Sequence, residues 1–139
     1  MRTYLVRSYS TSELVGYFSL KAGLISVNEV ETEDGVVFDT VPGVELANYA
    51  VNDTYIQAHP NLKGVGTVIF DRFILPIVKD TAERVGVKIV YIFALPYERL
   101  INRYAEYGFE RLQKPYEDEL HQRIKPYYDQ GCIFMYQAI

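Results

Sequence analysis

Apolar positions change their period along the chain, and the changes mark out its elements. Arg2–Arg7 is a short β-prone run, and Leu14–Val27 is dense in β-branched and aromatic residues with Lys21 as its only charge. Both read as strands, joined through the polar turn Ser8–Ser12 into an antiparallel hairpin. Asn28–Asp39 is acidic, contains Gly35 and reads as an exposed connection. Val44–Val51 reads as the next strand, its alternation setting Glu45, Ala47, Tyr49 and Val51 on one face. Asn52–Pro60 reads as a loop. From Thr67 the period becomes helical: Ile69, Phe73 and Ile77 recur every four residues, and Asp80, Glu83 and Arg84 give a polar side. Pro76 predicts a kink or a split, and Gly86 ends the helix as a C′ glycine. Val87–Leu95 is nearly all apolar, as in a strand covered on both faces. Tyr97–Glu106 is a second helix, ended by Tyr107-Gly108-Phe109. Lys114–Gln130 is polar and tyrosine-rich and reads as a solvated loop with aromatic anchors. Cys132–Ile139 closes the chain as a strand. This order predicts one α/β domain over residues 1–139 with a single central sheet.

Composition narrows the functional classes. The chain has 139 residues, a length that buries a core without staples. With 14 basic and 18 acidic residues its net charge is -4, which gives no general attraction to nucleic acid or to an anionic membrane. Cys132 is the only cysteine, so no intrachain disulfide forms, in keeping with a reducing compartment. No apolar run reaches the roughly 20 residues of a membrane helix. The expectation is a cytoplasmic protein. His59 and His121 lack a metal-ligand spacing, and Cys132 sits in an apolar strand where packing is its ordinary role.

The segment Asn61-Leu62-Lys63-Gly64-Val65-Gly66, followed by Thr67, lies between a strand and a helix start. The first amides of a helix lack internal partners, and with the helix dipole they bind anions. Glycines let a phosphate approach the backbone, Lys63 adds charge and Thr67 a hydroxyl. A nucleotide P-loop needs four residues between its glycines and then a lysine; here one residue separates them and the lysine comes first. The dinucleotide fingerprint needs glycine where Ile69 stands.

With these residues in hand, the chain resembles the GNAT superfamily of N-acetyltransferases. Asn61-x-x-Gly64-x-Gly66 resembles the family's Gln/Arg-x-x-Gly-x-Gly/Ala, with Asn in the first place. Tyr49-Ala50-Val51 looks like the family's L-A-V strand, whose edge binds the pantetheine arm. Arg103-Tyr104-Ala105-Glu106-Tyr107-Gly108-Phe109 looks like F-Y-E-K-x-G-F, with Tyr104 on its tyrosine. Tyr97 stands seven residues earlier, where the family often has an asparagine that bonds the cofactor arm. The matches come in the family's order and cover roughly Leu14 to Leu112. The family usually begins with one more strand and two helices that wall the acceptor site. This chain starts at what resembles the second strand, so the wall is expected from a truncated start or from a second subunit in a homodimer.

The resemblance implies a GNAT-like fold, a mixed and mostly antiparallel sheet flanked by helices. It implies acetyl-CoA as co-substrate, contacted by Tyr49, Ala50, Val51, Asn61, Lys63, Gly64, Val65, Gly66, Thr67 and Tyr97, and no metal. It also implies direct transfer to a small-molecule or peptide amine, with Tyr104 as general acid. Glu45, six residues before Val51, is the candidate base, since an apolar strand raises a carboxylate's pKa by desolvation. Its alternative is a frayed strand end in solvent. Two other functions stay open: a coenzyme A-binding module without turnover, and a toxin-type acetyltransferase acting on aminoacyl-tRNA. The acidic balance makes nucleic acid an unlikely partner.

Overall fold

The structure is a computed structural model that describes residues 1–124 and 131–139, apart from the side chains at 27–30, 37 and 38. The elements are β1 (Arg2–Arg7), β2 (Leu14–Thr32), β3 (Gly35–Val51), α1 (Asp53–Ala58), α2 (Val65–Ile69), a π-helical turn (Phe70–Ile74), α3 (Leu75–Val85), β4 (Ile89–Ala94), α4 (Glu98–Glu106), β5 (Glu110–Arg111), α5 (Lys114–Arg123) and β6 (Ile133–Ala138). One sheet orders the strands β1-β2-β3-β4-β6-β5, and only the β3–β4 pair is parallel. That is the mixed, mostly antiparallel sheet flanked by helices that the resemblance implied.

Five local readings are corrected. Acidic residues 28–39 are not a connection: β2 and β3 pair throughout them and reverse at Glu33-Asp34, closed by the Thr32–Gly35 pair. Gly35 takes φ 129°, and Thr32 Oγ1 donates to its carbonyl at 2.8 Å. This part of the hairpin runs past β1 and β4, so Glu31, Glu33 and Asp34 are solvated while the backbone stays extended. Inside 52–60 lies α1, capped by Asn52, whose side chain accepts from the Thr54 amide at 3.1 Å. Inside 114–130 lies α5, which buries Glu117 and Leu120; residues 125–130 of that segment lie outside the described residues. The long helical run begins at Val65, two residues before Thr67. Its split is a π-helical turn ending just before Pro76, whose missing N–H leaves the Arg72 carbonyl without an α-helical partner. Gly86 ends α3 at φ 69°, its amide on the Ala82 carbonyl.

The fifth correction concerns β3. Leu46 pairs with Leu20 and Asn48 with Ser19, which leaves Ala47 as a bulge. The bulge resets the alternation. Tyr49 and Val51 join the main core with Phe18, Leu46 and Phe70 under α2–α4. Glu45 stays on the opposite face with Lys21 and Tyr91. That face carries the smaller core of Ile25, Tyr91, Leu120 and Phe134 beneath α5.

On that smaller face the Tyr91 ring crosses Gly43 and reaches Gly23. A Cβ at Gly23 would stand 1.9 Å from the Tyr91 hydroxyl, and one at Gly43 would stand 2.9 Å from its ring. Gly43→Ala is expected to lower stability by about 1–3 kcal/mol, the range for overpacking, and Gly23→Ala by at least as much. Urea melts check this; midpoints equal to wild type would contradict the packing described.

Candidate functional site

β3 and β4 pair only at Gly43–Glu45 with Ile89–Tyr91. Beyond Glu45 the two strands have no pairing among the described residues, so β3 presents a free backbone edge toward α4. The resulting fork opens into a cleft of about 880 Å³. Tyr49, Ala50 and Val51 form one side, Lys63, Gly64, Val65 and Gly66 one end, and Tyr97 and Tyr104 lie across from β3. Nine residues named from the sequence therefore meet in one place. Asn61 and Thr67 do not line it: Asn61 is in the exposed turn after Pro60, and Thr67 is exposed on the first turn of α2. Glu45 is also outside, across the sheet and buried, its carboxylate 3.1 Å from Lys21 Nζ. It is thus neither an unpaired carboxylate in an apolar strand nor a frayed end in solvent.

The two loop glycines serve different needs. Gly64 sits at φ 64° with nothing near a Cβ, so the backbone conformation demands it. Its position as N-cap leaves the first turn without a side-chain cap. At Gly66 the demand is space: an added Cβ would lie 2.9 Å from the Tyr107 hydroxyl and 3.4 Å from that of Tyr49.

Those two phenols and Arg103 form a chain. The Tyr49 hydroxyl donates to the Gly66 carbonyl, and electrostatic interactions couple Tyr49 to Tyr107 and Tyr107 to Arg103. A carbonyl only accepts, which fixes the direction of the Tyr49–Gly66 bond. Tyr49 thus spends its proton on Gly66. Tyr104 stands beside this chain, 8% exposed, its ring edge-on to Tyr107 and Phe109. Burial and then the neighbouring Tyr107 push the Tyr104 phenol from 10.0 up to about 12. Burial and then Tyr107 also raise Tyr49, and burial and then Glu45 raise Tyr91.

These shifts set an alkaline limit. A phenol whose folded pKa exceeds its unfolded value keeps its full contribution below the unfolded pKa and loses it as pH rises. Above about pH 10 the unfolded chain ionises first, so stability falls by up to roughly 1.4 kcal/mol per pH unit for each of the three phenols. Urea midpoints are expected to drop steeply between about pH 10 and about pH 12. Flat midpoints across that interval would contradict the burial of these hydroxyls.

Arg99, Leu100, Arg103 and Tyr107 also line the cleft and were not singled out by motif. A signal for three of them was present: Leu100, Arg103, Tyr104 and Tyr107 follow the i, i+3, i+4, i+7 spacing of one helical face.

No protein-family model matches the sequence. Solved structures do match. A tyrosine-to-phenylalanine mutant of KacT superposes with TM-score 0.67 at 18% identity, over 99% of this chain and 70% of that one. AtaT complexed with acetyl-methionyl-tRNAfMet gives 0.64 at 16% identity, over 96% and 69%. AtaTR bound with AcCoA gives 0.65 at 17% identity, over 96% and 68%. The chain spans about two thirds of the length of the solved chains it matches. The fold is that of the GNAT-type acetyltransferases, as the three sequence motifs implied. One of these neighbours has been solved with an acylated tRNA. Among the described residues no helix is long and apolar enough to cross a membrane, and no group of three or more His, Cys, Asp or Glu is placed to hold a metal ion.

Proposed function

We propose that the protein is an N-acetyltransferase that takes the acetyl group of acetyl-CoA and delivers it to a primary amine by direct attack. One observation carries the reading: an uncapped glycine-started helix, a free strand edge and a phenol with an uncommitted proton converge in a single cleft. The residues fit the cofactor's chemistry. The Val65 and Gly66 amides, with Lys63, suit the pyrophosphate. The unpaired edge at Tyr49–Val51 offers backbone donors and acceptors to the amides of the pantetheine arm. The thioester supplies an activated carbonyl, and backbone N–H groups on the same edge can stabilise the oxygen that becomes charged.

Tyr104 is the general acid in this reading. Tyr49 has its proton committed to the Gly66 carbonyl, whereas the Tyr104 hydroxyl makes no such bond. A phenol with its pKa near 12 stays protonated at neutral pH and can give its proton to the departing thiolate. We assign Glu45 no part in the cleft itself. An acceptor amine reaching the fork from the opposite face would meet Glu45 there, paired with Lys21, and that is the only approach on which it serves as base.

A second acceptor class is aminoacyl-tRNA. It is supported by the AtaT complex with acetyl-methionyl-tRNA and by three cations, Lys63, Arg99 and Arg103, around the cleft. The discriminating experiment is a thiol-release screen with acetyl-CoA over polyamines, amino acids, aminoglycosides, peptides and aminoacyl-tRNA. Turnover with any of them supports a transferase and names the acceptor. Failure of all, with tight acetyl-CoA binding, leaves a coenzyme A-binding module and overturns the transfer step.

A further inference from the structure

The Arg103–Tyr107–Tyr49–Gly66 chain joins the three elements that wall the cleft: α4, β3 and the first turn of α2. Tyr107 already stacks on Phe70 at 4.8 Å, and its ring would do so without a hydroxyl. The hydroxyl does something else. It couples electrostatically to the Arg103 guanidinium, which has five N–H groups on a side chain 45% exposed at the cleft. Glu106 is the nearest acid, at 3.9 Å and itself 73% exposed, so it competes weakly. The Arg103 donors are thereby held at the cleft surface. Asn61, which takes the place of the family's Gln or Arg, does not line the cleft, so α4 supplies the guanidinium there.

We propose that Arg103 is an anion contact for the phosphate oxygens of the cofactor, and that Tyr107, backed by Tyr49, is the residue that positions it. The inference rests on the acetyl-CoA reading above and goes beyond it by adding a clamp from α4 to the glycine loop. The phosphate is either the pyrophosphate or the 3′-phosphate of the adenosine; the chemistry is the same, a guanidinium bonding phosphate oxygens.

The test is calorimetry of coenzyme A and dephospho-coenzyme A with wild type, Arg103→Gln, Tyr107→Phe and the double variant. Arg103→Gln is expected to weaken coenzyme A binding on the order of tenfold or more, the loss of a hydrogen bond to a charged group. Tyr107→Phe is expected to weaken it by a smaller factor, and to add nothing in the Arg103→Gln background, because it acts only through that side chain. If Arg103→Gln still matters for dephospho-coenzyme A, the contact is the pyrophosphate; if its effect disappears there, the contact is the 3′-phosphate. Either supports the clamp. Unchanged affinity in Arg103→Gln, or independent multiplication of the two single effects, overturns it. Absence of binding to wild type is a different failure, since it overturns the acetyl-CoA reading itself. Thermal melts of each variant separate loss of binding from loss of fold.

Discussion

Gly64→Glu is expected to abolish acetyl-CoA binding while leaving the chain folded. Gly64 holds a left-handed conformation at the start of α2, with open space where a Cβ would go. A non-glycine residue there costs roughly 1–2 kcal/mol of backbone strain, which a folded domain tolerates. Binding is affected far more. The carboxylate would stand at the helix start where the pyrophosphate belongs, occupying the same unpaired amides. It would also add a negative charge opposite an anionic ligand. A loss of at least about a hundredfold in affinity is expected, close to 3 kcal/mol. Calorimetry beside a thermal melt reads both parts of this expectation. Full affinity in a folded Gly64→Glu variant would remove the glycine loop from the cofactor site.

The second large effect is expected from Tyr104→Phe. The Tyr104 ring packs edge-on to Tyr107 and Phe109, and phenylalanine keeps those contacts. Only the proton is lost. General acid catalysis contributes about a hundredfold or more, so turnover should slow by that order with acetyl-CoA affinity little changed. A wild-type rate in this variant would remove Tyr104 from the mechanism. A parallel loss of affinity and rate would make it a packing residue instead.

Much of this site was legible in the sequence because its parts are local. Gly64 and Gly66 mark a backbone that must be bare, and a short motif records that directly. Tyr104 is found by its distance from Gly108 and Phe109. Other parts are set by pairing, which no short window contains. The bulge at Ala47 follows from how β3 registers against β2, and it alone decides that Glu45 and Tyr49 lie on opposite faces. Strict alternation would have kept them together. The acidic segment at 28–39 was misread for a related reason. Solvated charges suggested a loop, but two strands that extend past their neighbours can be extended and solvated at once. Tyr107 and Arg103 were readable as an α4 stripe; what could not be read was that Tyr107 meets Tyr49 over Gly66, because that contact spans three elements.

The fork between β3 and β4 is the proposed acetyl-CoA site. Calorimetric titration of the unmodified protein with acetyl-CoA tests it most directly. Saturable binding at one site per chain is expected. A titration showing no binding heat, with the protein folded and no displacement of a fluorescent coenzyme A analogue, would contradict it.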